Sequence, residues 1–207
     1  MKSILENISR SDIVRDPFPH VAIKNALPQE LIDQLLSEYP SAEYLGQGRQ
    51  GLTKDGKMPN NIKLRYNSAD VLSDDKLPNA WKEFVSIHLS YEFFSKYLDI
   101  FKEDIYALHP KFSRFLDNLR KEDIGVKLID TYDEKKVLLN AEICADTAVK
   151  EVSSVRKIHL DHAQKLGVAL LYLKSKNDDS IGGSFELYKH NTDRKYVINH
   201  IRNIKDR

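Results

Sequence analysis

His159 and Asp161 stand two residues apart at the end of a β-like run in residues 155–189, VRKIHLDHAQKLGVALLYLKSKNDDSIGGSFELYK. In an extended strand, side chains at i and i+2 point to the same face, so this imidazole and this carboxylate can reach one metal ion. A histidine nitrogen and a carboxylate oxygen are two of the three protein donors in the facial triad that holds non-haem Fe(II) with open positions. After a short turn, residues 167–173 read as a second strand, nearly all apolar and carrying one polar handle, Tyr172. A loop rich in Asn, Asp and Ser follows, then Gly182-Gly183 and a third strand over residues 184–188. An H-x-D triplet alone is a weak signal, since most such triplets lie on protein surfaces.

The order of these pieces is more specific than any one of them: H-x-D, an apolar strand ending in Tyr-Leu, an acidic loop, Gly-Gly, a mixed strand. It resembles the Fe(II)- and 2-oxoglutarate-dependent dioxygenases of the prolyl-hydroxylase-like branch. The likeness extends to the N-terminus, where Asp16-Pro17-Phe18-Pro19-His20 leads into Val21-Ala22-Ile23 and then Leu27-Pro28-Gln29-Glu30-Leu31. In the resembled enzymes 2-oxoglutarate takes two open positions on the iron and dioxygen the third. Its decarboxylation to succinate and carbon dioxide drives hydroxylation of an unactivated C–H bond, with ascorbate as a reductant. The protein orients the parts and keeps them dry.

The resemblance implies that His159 and Asp161 are the first two iron ligands. It implies that the Tyr172 hydroxyl reaches the far carboxylate of 2-oxoglutarate, and that Phe185, after Gly182-Gly183-Ser184, forms an apolar wall beside it. The plainer alternatives are an amphipathic core tyrosine, a core phenylalanine and, for Lys157 on the His159 face, a solvated strand-end lysine. The family pattern also holds a second histidine on a late strand and an Arg or Lys beyond it. His190 comes too soon after the Gly-Gly strand, and His200, with Arg207 seven residues later, imitates the spacing loosely. The expectation is therefore that the closing strands lie past residue 207, and that residues 1–207 alone are inactive or nearly so.

The elements that must position these residues follow from composition and period. The chain has 207 residues, 41% apolar and 30% charged, which suits a globular domain with a sizeable core. Net charge is +1, with both signs interspersed, so no nucleic-acid or membrane footprint stands out. The lone cysteine, Cys144, has no disulfide or zinc partner in the sequence. No apolar run suits a signal peptide or a membrane span, and a reducing cytoplasmic setting is expected.

Residues 20–24 read as a short strand. Pro28 and Glu30 open a helix whose stripe is Leu31, Ile32, Leu35, Leu36 and Tyr39, and Pro40 stops it. That helix should pack on the outside of a sheet. Residues 41–61 read as a loop over the mouth of a site; their G-x-G-x-x-G (Gly46, Gly48, Gly51) lacks the preceding strand of a dinucleotide site. Residues 79–101 read as helical, with Trp81, Phe84, Val85, His88 and Leu89 on one side; His88 and His109 are expected to be structural or superficial. A further helix over 111–120 carries Phe112, Phe115, Leu116 and Leu119 as core. Beyond Gly125, strands over 126–132 and 137–144 flank a charged turn, and a sixth strand is read over 196–201.

Helices first, then mainly antiparallel strands, predict an α+β fold. Its core would be a double-stranded β-helix, or jelly roll, with the N-terminal helices packed on one sheet and the last strands missing. Residues 1–207 are read as one domain, incomplete at its C-terminus. The expected partner is a small-molecule or peptide substrate, peptidyl proline among them, with no nucleic acid and no membrane. Two rivals stand beside this reading. One is a metallo-β-lactamase-fold zinc hydrolase, whose H-x-H-x-D-H is matched by Lys157-Ile158-His159-Leu160-Asp161-His162 except at the first position. The other is a non-catalytic jelly-roll binding protein.

Overall fold

The computed structural model describes residues 1–46, 59–147, 149, 159, 161–162, 164–175, 179, 181 and 185–189. The predicted strand over 196–201, Lys157, Gly182-Gly183-Ser184, His190, His200 and Arg207 lie outside the described residues.

The first helix, α1 (Gln29–Ser37), starts one residue later than Pro28 suggested. Pro28 is its cap, and the Pro28 carbonyl accepts from the amides of Leu31 and Ile32 at 3.0 and 3.1 Å. Leu35 is wholly buried on its apolar stripe. The helix packs against α4 (Asn79–His88), whose Trp81 donates its indole N–H to the Leu35 carbonyl at 3.1 Å. Pro78 caps α4 as Pro28 caps α1, accepting from Trp81 and Lys82. Trp81, Phe84, Val85, His88 and Leu89 are all buried, as their spacing predicted.

The predicted helix over 79–101 is two helices. The chain breaks at Leu89 and Ser90, and the Ser90 hydroxyl caps α5 (Tyr91–Leu108) by accepting from the Phe93 amide at 3.1 Å. A serine followed by helix formers is an N-cap signal that outweighs the continuing apolar period. Beyond α5 the predicted helix shrinks to a 3-10 turn (Pro110–Phe112) and α6 (Ser113–Asp117). Only Leu116 of its expected core residues is buried; Phe112 and Phe115 lie at the surface, edge to face. One turn of helix is too short to present a full apolar stripe.

Within the predicted loop over 41–61 the described residues include a short helix, and two more elements follow it. These are α2 (Ala42–Gly46), β1 (Lys63–Tyr66) and α3 (Ser68–Ser73), the last capped by the Asn67 side chain accepting from Asp70 at 3.2 Å. Gly46 closes a helix, so the glycine-rich motif follows helix, not strand.

The strand readings change most. β2 (Ile124–Val126) is short because the chain turns at once: the Asp130 carboxylate accepts from the Val126 amide at 2.7 Å, and Leu128 takes a φ of 70°. The predicted 137–144 strand divides into β3 (Val137–Leu139) and β4 (Ile143–Asp146). Between them, Ser68 accepts from the Ala141 amide and donates to Asn140, drawing the backbone out of any ladder. β2 and β3 pair in parallel, with Ile124 opposite Val137, where a charged hairpin was expected. β4 pairs antiparallel with β1, Lys63 opposite Asp146 and Tyr66 opposite Ile143.

Among the described residues these two-stranded sheets are the only sheets, in a mixed helix and strand arrangement. One apolar cluster runs from Ile4 and Leu5 through Leu35, Leu64, Val71 and Ile100 to Ile143. The predicted strand at 20–24 is a single bridge from His20 to Val14. Pro17 and Pro19 carry no N–H, so the pairing has nothing to extend it on that side. Among the described residues no helix is long and apolar enough to cross a membrane.

Candidate functional site

His159 and Asp161 both lie at the surface. The Asp161 carboxylate is held by Lys165 at 3.2 Å, an i,i+4 ion pair with both side chains about half exposed. The backbone between them turns at His162, whose carbonyl accepts from the Lys165 amide at 2.9 Å. This turn delivers the chain onto α5. There the Tyr97 hydroxyl donates to the Leu166 carbonyl at 2.9 Å. A side chain at Gly167 would meet that hydroxyl at 2.4 Å, so only glycine lets the backbone approach so closely.

Residues 167–170 are all exposed, and only over 170–173 do the side chains alternate. Leu171 and Leu173 pack against the core, while Val168, Leu170 and Tyr172 are each more than half exposed. This is the parity of a strand with one face seated. Residues 167–173 nevertheless belong to no ladder among the described residues, in contrast to the strand predicted there. Tyr172 shares the outward face and is 65% exposed. Phe185 is also outward, at 61%, and residues 185–189 form no strand among the described residues. Lys189, four residues on, pairs with Asp16 at 3.1 Å and so ties this segment to the Asp-Pro-Phe-Pro stretch near the N-terminus.

No family model matches the chain, and no curated protein and no solved structure is significantly similar to it.

The donors at 159 and 161 are an imidazole nitrogen and a carboxylate oxygen, a set suited to a divalent metal of intermediate hardness such as Fe(II). Among the described residues no group of three or more His, Cys, Asp or Glu side chains is placed to hold a metal. A cleft of about 330 Å³ lies elsewhere, between Lys2, Glu6 and Asn7 on one side and residues 25–29 on the other. Its lining offers hydrogen-bonding groups but no metal-binding pair.

Cys144 on β4 is half-buried, and burial, with Glu142 nearby, pushes its thiol up, away from the reactive thiolate. Of the two histidines read as structural or superficial, His88 is buried and doubly hydrogen-bonded, and His109 is exposed. Tyr97 and Lys165 are the residues that the sequence did not single out. Each acts across a turn or between elements, and only Gly167, standing between a polar turn and an apolar run, hints at a close approach.

Proposed function

We propose that this chain carries an Fe(II)- and 2-oxoglutarate-dependent dioxygenase domain that hydroxylates a small molecule or a peptide, built as a jelly roll and working in the cytoplasm. The observation that carries the reading is the coupling of His159-x-Asp161 to a segment of strand parity. Leu171 and Leu173 pack against the core, and Tyr172 stands on the face away from it. In a sheet sandwich with helices on its outer side, that outward face is the interior face. It is where a tyrosine must be to meet a cosubstrate.

His159 and Asp161 would hold the metal; the third protein ligand is not assigned. Bound Fe(II) and 2-oxoglutarate supply the oxidative chemistry. Asp161 has to release one carboxylate oxygen from Lys165 to serve. Tyr172 would donate its hydroxyl to the distal carboxylate of 2-oxoglutarate, and Phe185 would shield that end from water.

Anaerobic titration of the chain with Fe(II) and 2-oxoglutarate tests the reading. The expected outcome is a visible charge-transfer band that both His159→Ala and Asp161→Ala abolish. A band that survives both substitutions moves the metal elsewhere. The solvent exposure of the pair and the Lys165 contact favour one second reading, a non-catalytic binding protein on the same scaffold. Absence of any band, with no Fe(II) retained on dialysis, selects it.

A further inference from the structure

We propose that residues 1–8 form a proton-sensitive latch, closed by the acceptor nitrogen of His88 and released when that nitrogen is protonated. The Ile4 amide donates to His88 Nε2 at 3.1 Å, across 84 residues of chain. On the other side of the ring, His88 Nδ1 lies 2.6 Å from the Phe84 carbonyl. A carbonyl can only accept, so Nδ1 carries the hydrogen and Nε2 is the bare nitrogen. A proton added at Nε2 would set an N–H against the Ile4 N–H and destroy the bond that fixes the segment.

The ring cannot turn away to solvent. It lies against Phe84 and Phe93, with centroids 4.3 and 4.8 Å distant, and His88 is buried. Among the described residues no carboxylate compensates. The charged groups on the elements around it are the Met1 amine, Lys2 and Glu6 on the segment, Lys82 and Glu83 on α4, and Glu92, Lys96, Asp99, Lys102, Glu103 and Asp104 on α5. Lys82 pairs with Asp75 and Glu92 with Lys121. The helices α1 and α3 also pack on α4, bringing Glu30, Asp33, Glu38 and Asp70. Among the described residues none of these carboxylates lies within ion-pair distance of the imidazole.

Burial holds the His88 imidazole below its ordinary 6.5, opposed by the Phe84 hydrogen bond. The docked state thus binds fewer protons than the released one. Docking is fully present above about pH 6.5 and weakens as pH falls through the lowered value. Ile4 and Leu5 leave the core when the latch opens, and Lys2, Glu6 and Asn7 leave the 330 Å³ cleft that they line against residues 25–29. The latch therefore makes that cleft a feature of neutral pH.

Amide hydrogen exchange of the full chain between pH 7.5 and 5 tests this, with Trp81 fluorescence as the monitor of the whole fold. Once intrinsic rates are removed, Ile4 protection should fall by up to about tenfold per pH unit between about pH 6.5 and the lowered His88 midpoint, as one linked proton requires. Trp81 emission should stay constant. His88→Gln, which keeps an acceptor and cannot titrate, should give a flat profile. Direct NMR titration of the His88 ring should show a midpoint below 6.5, where the fall in Ile4 protection levels off. A flat wild-type profile, a His88 midpoint at or above 6.5, or Ile4 exposure arriving only with a change in Trp81 would each overturn the proposal.

Discussion

The Tyr97 hydroxyl donates to the Leu166 carbonyl at 2.9 Å, and its ring closes on Gly167 so tightly that an added methyl would lie 2.4 Å from the hydroxyl oxygen. This one contact seats the segment that follows His159 and Asp161 on α5. Burial pushes the Tyr97 hydroxyl up to about 12, so it remains a donor at any working pH. Gly167→Ala is expected to cost about 1–3 kcal/mol as an overpacked contact, and Tyr97→Phe about 1 kcal/mol as a lost hydrogen bond. Both should be read as faster tryptic cleavage at Lys165 and Lys174, which flank the seated stretch. Wild-type cleavage rates in Gly167→Ala would mean that the segment is not held there.

Arg15 grips Asp104 with two bonds, Nε at 2.7 Å and Nη2 at 3.1 Å. The two partners are unequally buried: the Asp104 side chain is 10% exposed and that of Arg15 is 58% exposed. Removing the arginine strands a carboxylate out of water, whereas removing the carboxylate leaves a solvated guanidinium. Arg15→Ala should therefore destabilise by about 1–2 kcal/mol, and Asp104→Ala by less than half of that. Urea unfolding followed by Trp81, the chain's one tryptophan, measures both.

Asp74 accepts the hydroxyls of Tyr44 and Tyr66, the second at 2.6 Å, and the Lys76 amide at 2.9 Å. These bonds, Tyr44's first, hold its carboxyl down at about 2, below its ordinary 3.8. The folded state thus binds fewer protons than the unfolded one near these values. The contribution is complete above pH 3.8 and is lost as pH falls towards 2. Acid unfolding of wild type should show this loss, and Tyr44→Phe with Tyr66→Phe should shrink it. An identical acid profile in the double variant would assign the acid sensitivity to other carboxylates.

Lys165 pairs with Asp161, and on the proposed reading it would compete with the metal for that carboxylate. The pair is exposed and worth about 0.3–0.5 kcal/mol, so Lys165→Ala should tighten Mn(II) binding, as a redox-silent substitute for Fe(II), about twofold. Electron paramagnetic resonance of free Mn(II) reads the affinity. A weakening in Lys165→Ala would show that the lysine supports the site and does not oppose it.

The local part of this structure was legible in the sequence. Leu31, Ile32, Leu35, Leu36 and Tyr39, and Trp81, Phe84, Val85, His88 and Leu89, recur at helical spacing, and that period depends only on neighbours within two turns. Pro28 marked a helix start for the same reason. The two-residue spacing of His159 and Asp161, with its metal-binding potential, is likewise a property of the chain and needs no fold to state.

Pairing was decided elsewhere. Lys63 meets Asp146 across the sheet, Ser68 interrupts a strand by binding Asn140 and Ala141, and Ile4 finds the one bare nitrogen of His88. None of these partners lies near the other in sequence. A strand or a buried polar group is satisfied by whatever the packed core brings alongside it, and the choice is made by burial and hydrogen bonding over the whole molecule. The sequence by itself therefore determined which residues could do chemistry and where α1 and α4 begin. Only the tertiary structure decided that Asp161 faces Lys165, that Tyr97 seats the chain at Gly167, and that His88 holds the N-terminal segment.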